Sequence, residues 1–183
     1  MERKIEMKIL VTGANGMLAK EVKEKFEKGN EIIATDVAEL DITDEKAVMD
    51  YVMNVKPEYI INCAAYTAVD KAEDNYELAD KINGDGPTNL AKAAKAAGAK
   101  LVHISTDYVF GGNLDISKDY KEDDAKAPVT AYGKTKLHGE EGIVENIDEY
   151  YIFRTAWLYG IGGNNFVKTM TKLGSTRDEI NVV

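Results

Sequence analysis

The sequence predicts an α/β protein built on a doubly wound parallel sheet with helices on both faces. Short apolar runs rich in β-branched residues recur along the 183 residues, and segments of helical character lie between them. This alternation is typical of parallel sheets, because the crossover between two parallel strands is usually a helix. A hydrophobic content of 44% and a charged content of 30% are those of a globular domain and exclude a disordered chain.

The first part of the chain is predicted to contain three strands with helices between them. Ile9–Val11 is the first predicted strand, and a glycine turn connects it to a helix that continues to about Lys28. Ile32–Ala34 and Tyr59–Ile61 are predicted as the next two strands. Thr43 is expected to cap the helix between them, because its hydroxyl can accept from a free N–H of the first turn.

The second part continues the alternation and contains one irregular stretch. The alanine-rich segment Pro87–Ala97 has one apolar face and predicts a helix. Leu101–Ile104 and Tyr150–Phe153 are predicted strands, separated by a predicted helix from about Ala131 to Asn146. Residues 111–130 show no periodicity, and we interpret them as a surface flap beside the site, since ordered loops of this length are usually functional.

Composition excludes several classes of partner and site. A formal charge of −9 would repel nucleic acid and an anionic bilayer, so neither is expected as a partner. The only cysteine, Cys63, cannot form a disulfide within the chain, and no Cys/His cluster has metal-ligand spacing, so no metal is expected. We find neither a signal-peptide core nor an apolar run near the roughly 18 residues of a membrane span, which predicts a cytoplasmic protein.

A glycine-rich turn and one acidic residue predict a Rossmann-type dinucleotide site. The segment Thr12–Ala19 has the pattern GxxGxxA between the first predicted strand and helix, where Gly13 and Gly16 allow a ligand to approach the backbone and the helix N-terminus. Asp36 lies 20 residues beyond Gly16, where a carboxylate would accept hydrogen bonds from ribose hydroxyls. The alternative is an ordinary glycine turn followed by a solvated carboxylate.

A Tyr and a Lys at helical spacing predict proton-transfer chemistry. Tyr132 and Lys136 share one face of a predicted helix, and the pair Ser105-Thr106 ends a strand 26 residues earlier. A ketone reduced by hydride needs a proton donor, which Tyr132 can supply if the ammonium of Lys136 lowers its pKa from near 10 by about 2 units. Thr106 would hydrogen-bond the carbonyl oxygen. Alternatively, Tyr132 is a packing residue and Lys136 a solvated charge.

With the glycine turn, the Ser/Thr pair and YxxxK in this order, the chain resembles the extended short-chain dehydrogenase/reductases. Other segments make it similar to the dTDP-4-dehydrorhamnose reductase family, over about Met7 to Val183. These segments are Asn62–Glu73, Ser105–Phe110, Tyr132–Leu137, Arg154–Gly160 and Asn165–Met170. The resemblance implies reduction by NADH or NADPH of the C4 ketone of dTDP-4-dehydro-L-rhamnose, a nucleotide sugar, to give dTDP-L-rhamnose for cell-surface polysaccharide.

The resemblance also implies roles for individual residues. Thr106, Tyr132 and Lys136 would form the catalytic triad, and the sugar would be bounded by Thr106, Asp107, Tyr132 and Trp157. The residues implied in cofactor binding are Gly13, Asn15, Gly16, Met17, Asp36, Asp41, Ile42, Ala64, Ala65, Tyr66 and Lys136. Ala19 stands where many relatives have a third glycine, a change that the fingerprint allows.

Two other functions stay open at the level of sequence. One is a non-catalytic, cofactor-binding regulatory subunit, which this family also resembles; the other is a related nucleotide-sugar epimerase or dehydratase with tightly held NAD. The complete triad favours the reductase. His103 and Cys63 are interpreted as buried packing residues. Neither the particular deoxysugar nor the oligomeric state follows from the sequence, and a homodimer is one option for the latter.

The end of the chain carries a further expectation. Glu179–Val183 has the character of an opening strand. We therefore expect residues 1–183 to be an NAD(P)-binding Rossmann domain that ends before a smaller C-terminal substrate-binding lobe. Such a domain should bind NADH without reducing a dTDP-4-keto sugar.

Overall fold

The structure, a computed structural model, describes residues 7–112 and 119–180 and contains a parallel sheet covered by helices on both faces. The strands are β1 (Lys8–Thr12), β2 (Glu31–Thr35), β3 (Tyr59–Asn62), β4 (Lys100–Thr106) and β5 (Tyr150–Thr155). The α-helices are α1 (Met17–Phe26), α2 (Glu45–Val55), α3 (Val69–Asp74), α4 (Tyr76–Asp80), α5 (Gly86–Ala97), α6 (Ala131–Asn146) and α7 (Phe166–Gly174). The predicted fold class is confirmed.

The strand order makes the chain change direction across the sheet at β1, beside the glycine turn. The order is β2-β1-β3-β4-β5, and every described pair is parallel. The chain leaves β1 towards β2 on one side and later returns to β3 on the other, so the crossovers diverge at the carboxyl end of β1. Open α/β sheets bind ligands in the crevice at such a point.

Alternation along the strands divides the core between the two faces of the sheet. Leu10, Ile60 and Leu101 are fully buried and pack on the same side as α2, α5 and α6. Ile9 and Val11 point the other way, towards Ala19 on α1. Because successive strand residues alternate, a strand buried on both faces is a continuous apolar run, which is why the sequence predicted these strands well.

Helix α2 begins one residue later than a Thr43 cap would require. Asp44 is the N-cap, and its carboxylate accepts from the backbone N–H of Ala47 at 2.9 Å. The predicted Thr43 cap was wrong, because the Thr43 hydroxyl instead donates to Asp41 Oδ1 at 2.8 Å. The Asp44 carboxylate is therefore the side chain that accepts from the first turn of α2.

Several elements were not predicted from the sequence. The pair α3 and α4, a π-helical turn over Lys81–Asp85, and α7 all lie in stretches without a clear apolar period. The π turn joins α4 to α5 and carries Asn83, which is fully buried. Single π-helical turns within helices are frequently found at functional sites.

The two expectations for irregular segments fall partly outside the described residues. Of the flap predicted at 111–130, residues 113–118 lie outside them, and Tyr120 stacks on Phe110 with ring centroids 4.3 Å apart. Of the strand predicted at 179–183, Glu179 and Ile180 are not in a strand and residues 181–183 lie outside the described range. In the described ranges, no helix has both the length and the apolar character needed to cross a bilayer.

Three glycines allow α6 to pack closely against its neighbours. A Cβ at Gly133 would overlap the carbonyl oxygen of Tyr108, and one at Gly139 would overlap that of Asn83. At Gly142 it would overlap the hydroxyl of Thr88. Helix α6 therefore lies closer to the π turn and α5 than any side chain at these positions would allow.

We predict that Gly139→Ala lowers the free energy of unfolding by about 1–3 kcal/mol, because the added methyl meets backbone that can move only with the helix. Gly174→Ala on α7 is the matched control, since its methyl would make only an ordinary contact with Ile180. The control should be neutral or stabilising by up to about 1 kcal/mol. Urea unfolding followed by circular dichroism measures both, and equal stabilities would contradict the packing argument.

Candidate active site

A groove runs along the carboxyl ends of the strands and contains two adjoining cavities. The first, of about 430 Å³, lies between the glycine turn and the end of β2. The second, of about 630 Å³, lies over the ends of β4 and β5. Both are lined by Gly16, Cys63 and Ala65, so they form one continuous groove. Two joined cavities with different lining residues suit an extended ligand whose two ends differ in chemistry.

The glycine turn forms a backbone cradle at the centre of this groove. Gly13 has a φ of 66°, and a Cβ there would lie 2.7 Å from the backbone of Ala64. Only glycine combines this left-handed conformation with such close approach. Helix α1 then begins without a side-chain cap and without an acidic residue in its first turn. Its first N–H groups and the positive end of its dipole are thus available to an anion.

Asp36 closes the turn and still faces the first cavity. Its carboxylate accepts from the backbone N–H of Asn15 at 2.9 Å and from that of Val37 at 2.8 Å. A carboxylate has about four acceptor positions, so each oxygen keeps capacity for another donor. The residue is half-buried and lines the cavity. This geometry fits acceptance of hydroxyl donors from a ribose.

Most of the residues implied in cofactor or substrate binding line the groove. The first cavity is lined by Gly13, Gly16, Asp36, Asp41, Ile42, Ala64 and Ala65. The second is lined by Asn15, Gly16, Met17, Ala65, Thr106, Asp107, Tyr132, Lys136 and Trp157. Residues from six separate stretches of the chain therefore meet at the predicted edge of the sheet.

Tyr66 lines neither cavity. The buried side chain of Asn83 bonds to both backbone groups of Tyr66, accepting from its N–H at 2.8 Å and donating to its carbonyl at 3.1 Å. The Tyr66 ring packs beside Tyr132 against small residues of α3, α4 and α6. Asn83 also donates to the Thr135 hydroxyl at 3.1 Å, so it links this loop to α6. Sequence reasoning missed Asn83, because no local pattern marks it.

Tyr132 and Thr106 both line the second cavity, and their hydroxyls are hydrogen-bonded to each other. Burial raises the pKa of the Tyr132 phenol, and the hydrogen bond with the Thr106 hydroxyl partly opposes this effect. The sequence argument expected the ammonium of Lys136 to lower this pKa. That expectation is wrong, because burial dominates and Lys136 directs its nitrogen elsewhere. Tyr132 therefore keeps its proton at neutral pH.

Lys136 is almost completely buried, with 1% of its surface exposed. Its Nζ donates to the carbonyl oxygen of Ile104 at 2.7 Å and lies 3.1 Å from Nε2 of His103. Burial lowers the pKa of Lys136 to about 8, and the negative charge of Glu140 opposes the shift. The interpretation of Lys136 as a solvated charge is thus excluded. His103 is buried as expected, yet it contacts the lysine that the motif singles out.

A buried ion pair anchors α6 to the two strands beside it. Glu140 accepts from the hydroxyl of Ser105 at 2.6 Å and from Nε and Nη2 of Arg154 at 2.9 Å and 2.8 Å. These contacts join α6 to β4 through Ser105, which also lines the second cavity, and to β5 through Arg154. Neither Glu140 nor Arg154 was assigned a role from the sequence, since only the packing of α6 against β5 brings the two side chains together.

Trp157 forms an exposed rim of the second cavity. Its φ of 53° is a left-handed conformation that costs a non-glycine residue roughly 1–2 kcal/mol. The indole is 72% exposed and makes an edge contact with Phe166 at 4.9 Å between ring centroids. Strain of this kind is concentrated at ligand-binding positions. Within residues 7–112 and 119–180, no group of three or more His, Cys, Asp or Glu is arranged to hold a metal ion.

We predict that Cys63 reacts slowly with iodoacetamide in the folded protein. Burial raises the pKa of its thiol to about 11. At pH 8 its thiolate fraction should therefore be about a hundredfold below that of a solvated thiol. Mass spectrometry of the alkylated chain measures the rate, and the same chain in urea is the control because it contains one cysteine. Equal rates in the two states would show that the thiol is not shielded.

Comparison with known proteins places the chain in a family. The RmlD substrate binding domain family matches residues 7–183. A curated dTDP-4-dehydrorhamnose reductase of Mycolicibacterium smegmatis is 46% identical over 178 residues, which cover 96% of this chain and 54% of that protein. The chain spans about 54–60% of the length of the first curated relatives it matches.

Comparison with solved structures gives the same result as comparison of sequences. A dTDP-4-dehydrorhamnose reductase from Clostridium acetobutylicum superposes with a TM-score of 0.93 at 54% identity and covers 97% of this chain and 62% of its own. A Bacillus anthracis dTDP-4-dehydrorhamnose reductase in complex with NADP has a TM-score of 0.92 at 45% identity, over 96% of this chain and 62% of that one. By both sequence and architecture, the chain belongs to the RmlD substrate binding domain family.

Proposed function

We propose that this chain carries the cofactor site and the catalytic groups of an NAD(P)H-dependent reductase that converts dTDP-4-dehydro-L-rhamnose to dTDP-L-rhamnose. The observation that carries the proposal is the convergence of Thr106, Tyr132 and Lys136 in one cavity that continues into the glycine cradle. Relatives at 41–47% identity that bear the name of this reductase support the choice of substrate. A hydride donor and a proton donor must meet at one carbonyl, and the groove offers that arrangement.

The residues present fit a dinucleotide. Gly13 lies so close to the backbone of Ala64 that any side chain there would clash, and the uncapped α1 N-terminus behind Gly16 suits a pyrophosphate. Asp36 would hold the adenine ribose, with Asp41 and Ile42 beside the adenine. The cofactor, when bound, supplies the hydride. Lys136 would contact the ribose next to the nicotinamide, since it lines the adjoining cavity.

The chain's own groups supply the proton. Tyr132 enters the reaction protonated, because burial raises its pKa, and it donates to the sugar O4 as negative charge develops there. The Thr106 hydroxyl stabilises the resulting phenolate through the hydrogen bond that already opposes the effect of burial. Asp107 and Trp157, on the rim of the same cavity, would bound the sugar.

We infer that residues 1–183 act as the NAD(P)-binding unit of this reductase. A dTDP-sugar carries a diphosphate that Arg or Lys side chains must meet. Among the described arginines, Arg154 is already paired with Glu140, and Arg177 is exposed on the segment after α7. Lys136 is the one Lys or Arg among the described residues that line the second cavity, and it is assigned to the cofactor ribose. The residues of the groove therefore account for the cofactor more completely than for the diphosphate of the sugar substrate.

Cofactor choice gives the first prediction for this function. The first cavity has no Lys or Arg among its lining residues, and Asp36 and Asp41 are both acidic. A 2′-phosphate would meet like charge, so NADH should bind at least about tenfold more tightly than NADPH, or about 1.4 kcal/mol. Calorimetry on this chain measures both dissociation constants.

A pair of substitutions tests whether negative charge causes the preference for NADH. Asp36→Asn should reduce the preference for NADH, whereas Asp50→Asn, which removes a surface carboxylate on α2, should leave it unchanged. Equal or tighter binding of NADPH by the unmodified chain would overturn the prediction and imply a cation from outside this cavity.

Removal of the phenol gives the second prediction. Tyr132→Phe in the full-length gene product should lower kcat by about 10²-fold or more, because the proton donor is lost, while NADH affinity stays nearly unchanged. Thr106→Val should lose less. Turnover of dTDP-4-dehydro-L-rhamnose under saturating NADH is followed by absorbance of the reduced nicotinamide.

Tyr151→Phe on β5 is the matched control, since its side chain is 49% exposed and lines neither cavity of the groove. It should retain full turnover. A Tyr132→Phe variant with near-normal kcat would show that another group donates the proton.

A further inference from the structure

A row of buried polar side chains lies behind the catalytic cavity and ends at Lys136. Asn62 on β3, His103 on β4 and Lys136 on α6 are each at most 1% exposed. Asn62 and His103 are partners in the register of the two strands. Asn62 Nδ2 lies 3.1 Å from His103 Nδ1, and His103 Nε2 lies 3.1 Å from Lys136 Nζ. Each contact joins two nitrogens, so one nitrogen of each pair must accept.

The orientation of the Asn62 amide is set by its other partners. Its Oδ1 accepts from the backbone N–H of Ala64 at 3.0 Å and from the Thr12 hydroxyl at 2.7 Å. The backbone N–H can only donate, so the amide oxygen must face it. The amide nitrogen therefore faces His103, and it too can only donate. Nδ1 of His103 must be the acceptor in this contact.

The protonation of His103 follows from that contact. Complete burial, together with the nearby Lys136, holds the pKa of His103 well below its ordinary value, so the ring is neutral. A neutral imidazole has one N–H and one lone pair. Since Nδ1 supplies the lone pair to Asn62, the proton is on Nε2, and it points at Lys136 Nζ.

Lys136 must then accept from His103. An ammonium has three donors and no lone pair, whereas a neutral amine has two donors and one lone pair. The amine matches both observed contacts, because it accepts from His103 Nε2 and donates to the Ile104 carbonyl. We propose that Asn62 and His103 favour the uncharged form of Lys136, with the Nε2 proton of His103 donated to the lysine nitrogen.

The charged and titratable groups around Lys136 affect how readily the lysine is protonated. Burial favours the amine, and Glu140 one turn along α6 favours the ammonium. The Glu140 carboxylate is itself paired with Arg154 from β5, which limits its influence. Tyr132 on the preceding turn and Cys63 at the end of β3 line the same cavity, and both keep their protons at neutral pH because burial raises the pKa of each.

A consequence for catalysis rests on the proposed function. If the ammonium of Lys136 assists formation of the Tyr132 phenolate, the active fraction falls as pH rises through about 8, the pKa to which burial lowers Lys136. His103 touches neither ligand nor reacting atoms in this arrangement and acts only through Lys136. It is therefore a positioning residue that determines at which pH the lysine becomes charged.

The hydrogen-bond assignment can be tested on the unmodified chain without any substrate. Long-range ¹H–¹⁵N spectra distinguish the protonated from the unprotonated ring nitrogen of a histidine. The chain has two histidines, and His138→Gln identifies the signals of His103. At pH 9, above the pKa of about 8 to which burial lowers Lys136, we expect a neutral ring with the proton on Nε2. A proton on Nδ1, or a doubly protonated ring, at this pH would overturn the proposal.

Asn62→Asp tests whether the row controls the lysine. The carboxylate keeps both acceptor contacts of Oδ1 and replaces the amide donor by an acceptor, so His103 should move its proton to Nδ1 and accept from an ammonium at Nε2. The proton affinity of Lys136 should rise at least about tenfold, or about one pKa unit. Titration of the Lys136 Cε resonance, assigned through its loss in Lys136→Met, measures this change.

Asn30→Asp is the matched control, because it adds the same charge on the turn after α1, away from the groove. It should leave both the His103 tautomer and the Lys136 titration unchanged. A raised Lys136 pKa in Asn62→Asp without a change of tautomer would indicate charge alone and would overturn the proposal.

In the full-length gene product, Asn62→Asp should move the alkaline limb of kcat upward by about the same amount as the Lys136 titration. An unmoved limb together with the switched tautomer would show that the row does not govern turnover, and the catalytic part of the inference would fall. Absence of sugar reduction in every variant would count against the proposed function and leave the tautomer result standing.

Discussion

The approach of α6 to the rest of the molecule is the constraint on which the site depends. Gly133, Gly139 and Gly142 face neighbouring backbone and the Thr88 side chain with no room for a Cβ. Tyr132 and Lys136 are carried on the same helix, so its depth sets how far they reach into the groove. A larger residue at any of these three positions would displace the helix and shift the phenol and the lysine relative to the strand ends.

Burial of charge behind the groove explains why this region is built from hydrogen-bonded pairs. Lys136 and Glu140 are both about 1% exposed and lie one turn apart on α6. Removing such groups from water is costly unless their donors and acceptors find partners. Glu140 meets Ser105 and Arg154, which ties α6 to the outer strands, whereas Lys136 meets only a carbonyl and an imidazole. Glu140 is thus paired with a guanidinium, whereas burial without such a partner lowers the pKa of Lys136 to about 8.

At the other end of the groove, local structure and ligand recognition use the same atoms. The Asp36 carboxylate stabilises the turn through the N–H groups of Asn15 and Val37 and still faces the cavity with unused acceptor positions. Gly13 permits the chain to reverse, and its lack of a side chain allows the turn to lie against the backbone of Ala64. Contacts within the chain therefore hold this part of the site in place, and residues fixed in this way lose less entropy when a ligand binds.

The sequence by itself determined the class of fold, because strands buried on both faces are continuous apolar runs, and it indicated the groove through GxxGxxA, Asp36 and YxxxK. Patterns of this kind are local: a glycine turn or an i, i+4 pair is defined within a few residues. Only the tertiary structure placed Asn83, Glu140 and Arg154, whose partners are distant in the chain and unmarked by any spacing. It also decided the protonation of Tyr132 and Lys136, since a pKa depends on burial and on neighbouring charges that come together only when the helix packs on the sheet.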